Sequence, residues 1–167
     1  LGWFLLQRPQ KPLMYTERAQ EHSVTAKKYA RLTAMNLLAR REHSYTELKQ
    51  KLTLRNFSTE DADQALMQLQ QEGLQSDRRF TENYIRYRAQ KGFGPIKIQY
   101  ELKQKGVDHA LIQEFMVVWD QWWPDLMRQA AYKYTGNNKS LTQETQLKLQ
   151  KFLQQRGFQL NLIHSCI

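Results

Sequence analysis

The stretch that decides the fold is KGFGPIKIQYELKQKGV, which spans Lys91–Val107. Pro95 suits the first turn of a helix, because that position needs no amide hydrogen and the fixed φ of proline matches the helix. Ile98 and Leu102 lie four residues apart and therefore share one face of that helix. Gly106 suits the left-handed position that ends a helix. The stretch therefore predicts a short amphipathic helix between two turns.

The same pattern occurs three times along the chain, at a period of about 50 residues that is typical of repeat proteins. Each copy has two apolar residues four apart, a Gly or Asn stop, one apolar residue, and a further apolar residue in the next helix. The copies are Leu48, Leu52, Asn56, Phe57 and Ala62; Ile98, Leu102, Gly106, Val107 and Ile112; and Leu149, Leu153, Gly157, Phe158 and Ile163.

The rest of the chain also has helical character. Glycine and proline are rare, and Ser44 with Glu47 has the spacing of a capping box at a helix start. We expect helices and no sheet, near residues 26–42, 45–55, 59–72, 77–91, 95–105, 109–121, 124–135, 143–156 and 159–165.

These helices predict an all-α fold, an elongated tandem array of three three-helix modules at 26–75, 76–121 and 122–167. Modules of this size have thin cores, so we expect neighbours to stack on each other. Residues 1–25 are predicted to be a partly disordered extension. Within it, residues 1–13 contain Pro9 and Pro12 and no apolar periodicity, and we expect them to be dispensable.

Composition limits the classes of protein to consider. The 167 residues include 25 Lys+Arg against 16 Asp+Glu, a formal net charge of +9. No apolar run approaches the roughly 20 residues of a membrane span, and one cysteine, Cys166, excludes an internal disulfide framework. We expect a cytoplasmic monomer with no membrane association, whose positive charge favours a polyanionic or nucleoprotein partner.

The positive charge is concentrated in the middle of the chain. Eight basic residues fall between positions 78 and 105, where the acidic residues are Glu82 and Glu101. We interpret the eight as contacts to phosphates or to an acidic protein surface; they are Arg78, Arg79, Arg86, Arg88, Lys91, Lys97, Lys103 and Lys105. Four of them, Arg86, Arg88, Lys91 and Lys97, are expected near one corner with no acidic neighbour between them.

The sequence offers no arrangement typical of a catalytic or metal site. The histidines are scattered, and none lies four residues from another histidine or from the cysteine. The segment Gly92–Pro95 lacks the preceding strand of a phosphate-binding loop, and the acidic residues from Glu60 to Asp63 suit the first turn of a helix. We therefore expect a protein that is not an enzyme and needs no cofactor or metal.

Aromatic residues allow two interpretations. Stacking on nucleobases is one, and it would involve Trp119, Trp122, Trp123, Tyr132 and Tyr134. The three tryptophans also share helical spacing with Phe115 and Met116, which favours a core at a module boundary. On the helix before the quoted stretch, Phe80, Tyr84 and Tyr87 form a stripe expected to face the core, and Arg79, Asn83 and Arg86 form an exposed one.

Three segments resemble the RecX family, bacterial regulators of the recombinase RecA. They are Leu37–Arg41 with Ser44, Glu47–Leu48 and Lys51–Leu52; Gly73–Phe80; and Lys91–Ile98 with Glu101–Leu102 and Lys105–Val107. The resemblance covers the chain from about Lys27 onward and weakens in the third module, where Leu160–Ile167 is short for a final helix. It implies a non-catalytic inhibitor that lies in the groove of the RecA–DNA filament and restrains filament growth, ATP hydrolysis and strand exchange. The implied setting is homologous recombination, DNA repair and the SOS response.

The main alternative is a helix-turn-helix-like DNA-binding protein that acts without RecA. Such a protein needs polar or basic residues at the start of the helix that enters the major groove. Here Glu60, Asp61 and Asp63 stand in that place in the first module and Asp108 in the second, where phosphates would repel them. Non-specific contact with single- or double-stranded DNA stays open, as does a general helical adaptor.

Overall fold

The computed structural model describes residues 14–136 and 141–166, and within these ranges the chain is helical with no strand. The predicted all-α class is therefore confirmed. The helices are α1 (Met14–Leu38), α2 (Tyr45–Thr53), α3 (Thr59–Gln71), α4 (Asp77–Gln90), α5 (Pro95–Gln104), α6 (His109–Trp119), α7 (Trp123–Thr135), α8 (Gln143–Gln155) and α9 (Leu160–Cys166), with a short 3₁₀ turn at Asp120–Trp122 between α6 and α7.

Helix α1 begins at Met14, so its predicted start at residue 26 was wrong. Residues 14–25 lack an apolar stripe, but they contain no proline or glycine that would end a helix. Residues such as Glu17, Arg18 and Ala19 have high helix propensity, so the packed part of α1 extends through them towards the N-terminus. The predictions for residues 1–13 concern positions outside the described residues.

We divide the helices into a first module (α1–α3), a second (α4–α6) and a third (α7–α9). The first module has its own core, and the second and third share one. The first core contains Ala30, Ala34, Leu48, Leu52, Ala62, Ala65, Leu66 and Leu69. The shared core contains the apolar repeat residues of both other modules, without their glycines, together with Phe80, Ile85, Phe115, Met116, Trp123 and Met127. Every repeat residue is buried except Asn56, Gly106 and Phe57, which is half-buried, so the stacking expectation holds for the second and third modules.

Consecutive modules are connected by a joint of the same form. The start of the second helix of one module lies against the turn between the second and third helices of the next. In the first joint the Ser44 hydroxyl donates to the Lys105 carbonyl at 2.6 Å. In the second joint the Gly94 amide donates to the Arg156 carbonyl at 2.7 Å.

Each joint depends on a glycine in the receiving turn. Gly106 and Gly157 have φ of +73° and +92°, a region that side chains rarely adopt. A Cβ on Gly106 would overlap the side chain of Thr46, and one on Gly157 would lie 2.5 Å from the Cβ of Lys97. Glycine is therefore required both for the turn and for the close approach of the neighbouring module.

Three further polar contacts cross the first joint. The Tyr45 amide donates to Asp77 at 2.8 Å, Gln75 donates to the His43 carbonyl at 3.2 Å, and the Arg79 guanidinium pairs with Glu42 at 2.8 Å. These contacts fix the orientation of α4 against the first module. None of the helices in the described ranges is long and apolar enough to cross a membrane.

Candidate functional site

The eight basic residues predicted as partner contacts do not form one patch. Five of them form ion pairs within the chain: Arg78 with Glu114, Arg79 with Glu42, Arg86 with Glu82, Arg88 with Glu101, and Lys105 with Glu47. The other three, Lys91, Lys97 and Lys103, have no ion pair with any residue that the structure describes. No acidic residue lies between Arg86 and Lys97 in the sequence. Arg86 nevertheless pairs with Glu82 one turn before it, and Arg88 pairs with Glu101 on the next helix.

Arg79 and Lys105 hold the first and second modules together. Lys105 reaches Glu47 across the joint at 2.7 Å, and Arg41 reaches the same carboxylate at 3.3 Å. Burial alone would raise the pKa of Glu47, but its hydrogen bonds to Lys105 and Arg41 outweigh burial and lower it. The carboxylate therefore stays charged and links two cations.

Arg78 contacts the second module only. Its guanidinium makes two bonds to Glu114 of α6, at 2.8 and 2.7 Å, and lies 5.5 Å from the ring centre of Phe115. The hydrogen bond from Arg78 lowers the pKa of the Glu114 carboxyl. Both side chains of this pair are more than half exposed to solvent, where ion pairs contribute little to stability.

A cluster of cations surrounds Phe93 at the second joint. The Arg88 guanidinium lies 3.6 Å from the ring centre, the Arg156 guanidinium 4.6 Å and the Lys97 ammonium 5.0 Å. Arg156 also donates to the Lys91 carbonyl at 3.0 Å, which brings the backbone of Lys91 to the same place. We call Arg88, Lys91, Lys97 and Arg156, around Phe93, the basic corner.

The basic corner keeps a surplus of positive charge. Among the described residues, Glu101 is the carboxylate within ion-pair distance of it, through Arg88. The same carboxylate accepts a hydrogen bond from the Tyr84 hydroxyl at 2.9 Å. Burial and this bond both raise the pKa of Tyr84, so the phenol remains a donor. The cations in excess over Glu101 are available to an anionic partner.

Arg156 is the member of the corner that sequence reasoning missed. It lies in the third module, far along the chain from the Gly92–Pro95 turn, and only the joint brings the two together. The repeat carried a signal, because a basic residue precedes the stop in every copy: Arg55, Lys105 and Arg156.

The predicted aromatic stripes each contain both buried and exposed side chains. Trp123 is buried and Trp119 half-buried, which agrees with a core at the module boundary, and Trp122 is exposed. On α4, Phe80 is buried, but the side chain of Tyr87 is 56% exposed, so its predicted place in the core was wrong. Tyr87 falls on the edge of the stripe where α4 turns away from the shared core.

In the described ranges, no three His, Cys, Asp or Glu residues are placed to hold a metal ion. His43 is buried, with its Nδ1 3.0 Å from the Arg41 carbonyl. The fold and the basic corner thus define a class, the helical tandem-repeat proteins that present charged surfaces.

Comparison with known proteins identifies the family. Models of the first and second three-helix domains of RecX match residues 30–69 and 76–116. A regulatory protein RecX from Legionella pneumophila is 44% identical over 132 residues, which cover 78% of this chain and 87% of the relative. One from Haemophilus influenzae is 39% identical over 129 residues, covering 74% and 83%. The chain belongs to the RecX family of regulatory proteins.

Two solved structures share the fold. A crystal structure of RecX from Lactobacillus salivarius has a TM-score of 0.69 at 18% identity and covers 86% of this chain and 95% of its own. A second crystal structure of a regulatory protein RecX has a TM-score of 0.74 at 18% identity, covering 97% and 80%.

Proposed function

We propose that the chain is a non-catalytic inhibitor of RecA in the cytoplasm, which binds the RecA–DNA filament as a monomer and restrains filament growth, ATP hydrolysis and strand exchange. The observation that carries this proposal is the basic corner at the joint between two modules. A filament of protein and DNA offers both phosphates and acidic side chains, which are the partners that such a corner attracts.

The repeat supports binding to a long partner. Contacts made by separate modules would add up through effective concentration, because once one module is bound the others are held near their sites. Weak contacts at each module would then suffice.

The alternative, a helix-turn-helix reader of duplex DNA, is disfavoured by the helix starts. Glu60 and Asp61 lie in the first turn of α3, and Asp108 caps α6 by accepting from the Ala110 amide at 2.9 Å. A helix that enters the major groove by such an end would bring these carboxylates beside phosphates.

The test measures inhibition of the DNA-dependent ATPase of RecA by the purified chain. The variant changes Lys91 and Lys97 to Glu, because these two corner cations have no carboxylate partner in the described structure and their loss breaks no ion pair. The control changes Lys28 and Lys133 to Glu, two exposed cations of the first and third modules that are not members of the basic corner. We expect inhibition to weaken about tenfold in the corner variant and to depend less on salt.

Both variants should melt within a few degrees of the original chain, because surface changes alter stability by less than about 0.5 kcal/mol. Equal inhibition by the folded corner variant and its control would remove the corner from the interface. No inhibition by the unaltered chain, with sequence-selective binding to duplex alone, would favour the DNA reader.

A further inference from the structure

A cleft of about 600 Å³ opens between the first and second modules, and none of the residues that line it belongs to the basic corner. Its floor is the outer face of α4, with Asn83, Tyr84 and Tyr87, and its rim carries Arg41 and Lys105. We call it the α4 cleft. Apolar atoms dominate its lining, although its rim is charged.

The floor offers an uncovered aromatic ring. Tyr84 is held in place by its bond to Glu101, whereas Tyr87 lies one turn further along α4 and is more than half exposed. The Lys91 ammonium is 5.7 Å from the Tyr87 ring centre. Tyr87 is therefore a flat surface with a cation beside it.

The rim carries uncompensated positive charge. Arg41 and Lys105 share the single carboxylate of Glu47. Glu42, which lines the cleft, is paired with Arg79 and so repels an incoming anion less than a lone carboxylate would. A ligand in the cleft thus meets apolar rings and positive charge together.

The α4 cleft is continuous with the basic corner. Lys91 follows Tyr87 by one turn of helix, about 6 Å along the axis, and its carbonyl accepts from Arg156. An aromatic ring that can stack on a base and cations that attract phosphates therefore lie next to each other on one surface.

We propose that the α4 cleft binds nucleotides of a single-stranded nucleic acid, with a base stacked on Tyr87 and flanking phosphates at Arg41 and Lys105 on one side and at the basic corner on the other. Bases have flat apolar faces next to a charged backbone, and such ligands are held by grooves that combine aromatic rings with cations. An acidic peptide would match the cations alone. The proposal deepens the proposed function by assigning a nucleic-acid contact, but it concerns the chain without RecA.

The test measures binding of the full chain to two fluorescent strands of equal length, oligothymidylate and its abasic analogue, by anisotropy. The two strands carry the same phosphates, so their difference reports the bases. We expect the unaltered chain to bind oligothymidylate at least about fivefold more tightly than the abasic strand, since stacking contributes at least about that factor per base. Tyr87→Ala should abolish the difference, and Tyr87→Phe should retain it.

The matched control is Tyr29→Ala, which removes a similarly exposed tyrosine from α1 and should leave the difference intact. Tyr87→Ala removes an exposed side chain, and its melting curve will show that it folds. Binding of both strands with equal affinity by the unaltered chain, or a preference that survives in Tyr87→Ala, would overturn the proposal.

RecA inhibition separates this proposal from the previous one. Tyr87-dependent binding of oligothymidylate by a chain that does not inhibit RecA would support the cleft and refute the inhibitor. If Tyr87→Ala weakened inhibition but bound both strands as the unaltered chain does, the cleft would contact protein and the nucleic-acid assignment would be wrong.

Discussion

Gly106 meets two demands at once, since its backbone is left-handed and the side chain of Thr46 occupies the space where a Cβ would stand. Gly73 has nearly the same φ, +71°, but nothing lies within 4 Å of its missing Cβ. The two glycines therefore allow backbone strain to be separated from the contact between modules.

Gly73→Ala should lower the free energy of unfolding by about 1–2 kcal/mol, the cost of a left-handed alanine. Gly106→Ala should lower it by about 2–5 kcal/mol, because overpacking adds to the same strain. Urea denaturation of both variants measures the difference. An equal loss of unfolding free energy in both variants would mean that separating the modules at the first joint costs no free energy.

His43 gives the first joint a dependence on pH. Burial is the main reason that the pKa of its imidazole is below the ordinary 6.5, with Arg41 and Lys51 acting in the same direction and the Arg41 carbonyl and Glu47 opposing. The unfolded chain therefore binds a proton more readily than the folded one. Stability should be complete above about pH 6.5 and fall as the pH drops below it.

In His43→Asn the amide can still donate to the Arg41 carbonyl, but it does not titrate. We expect the free energy of unfolding of this variant to change less between pH 7 and pH 5 than that of the unaltered chain. Thermal melts at several pH values in that window provide the measurement, and identical slopes would exclude His43 as the cause. Glu47, whose pKa is lowered, acts only at more acidic pH.

At the scale of the element, the repeat positions fill the cores. Leu102 is fully buried at the position that Leu52 and Leu153 occupy in the other modules, whereas Leu54 is 82% exposed. Leu102→Ala should destabilise the chain by about 2–5 kcal/mol, as for other emptied leucine sites. Leu54→Ala should cost less than about 0.5 kcal/mol. Chemical denaturation that ranked the two variants the other way would show that the repeat was aligned wrongly.

The helices could be predicted because their signals are local. Apolar residues four apart, Ser44 with Glu47, and Pro95 each act within a turn or two of helix, and the structure places helix ends within a few residues of the predictions from α2 onward. The start of α1 was missed because residues 14–25 carry helix-forming residues but no apolar stripe to mark them.

The candidate site could be predicted only in part, because it is assembled across joints. Lys91 and Lys97 were found from charge clustering, but Arg156 and the partners of Arg79 and Lys105 are distant in sequence. Charge counting also cannot tell a cation that faces solvent from one that is neutralised, as Arg88 is by Glu101.

At the scale of the whole molecule, the division into two cores predicts how the chain unfolds. The first core belongs to the first module alone, and polar contacts predominate where that module meets the second. The second and third modules share one core and should open together. Local unfolding of the first module should therefore precede that of the rest.

Leu48→Ala, which empties a buried site in the first core, should accelerate amide exchange in α1–α3 roughly tenfold or more. Exchange in α7–α9 should stay close to that of the unaltered chain. Hydrogen exchange followed by mass spectrometry of peptides resolves the two regions, and Leu153→Ala is the reciprocal control. Acceleration of equal size in both regions would show a single cooperative unit.

Asn56 occupies in the first module the turn position that glycine occupies in the other two, with φ of +65°. Asparagine tolerates this backbone, but its Cβ stands where a preceding module would have to enter. If gene duplication placed another module ahead of α1, the start of that module's second helix could not approach the turn at Asn56 as closely as the other joints require. Docking of the same form would need glycine in place of Asn56. A copy of the second or third module inserted between existing ones would carry its own glycine with it, so the array is more easily lengthened from within than at its first module.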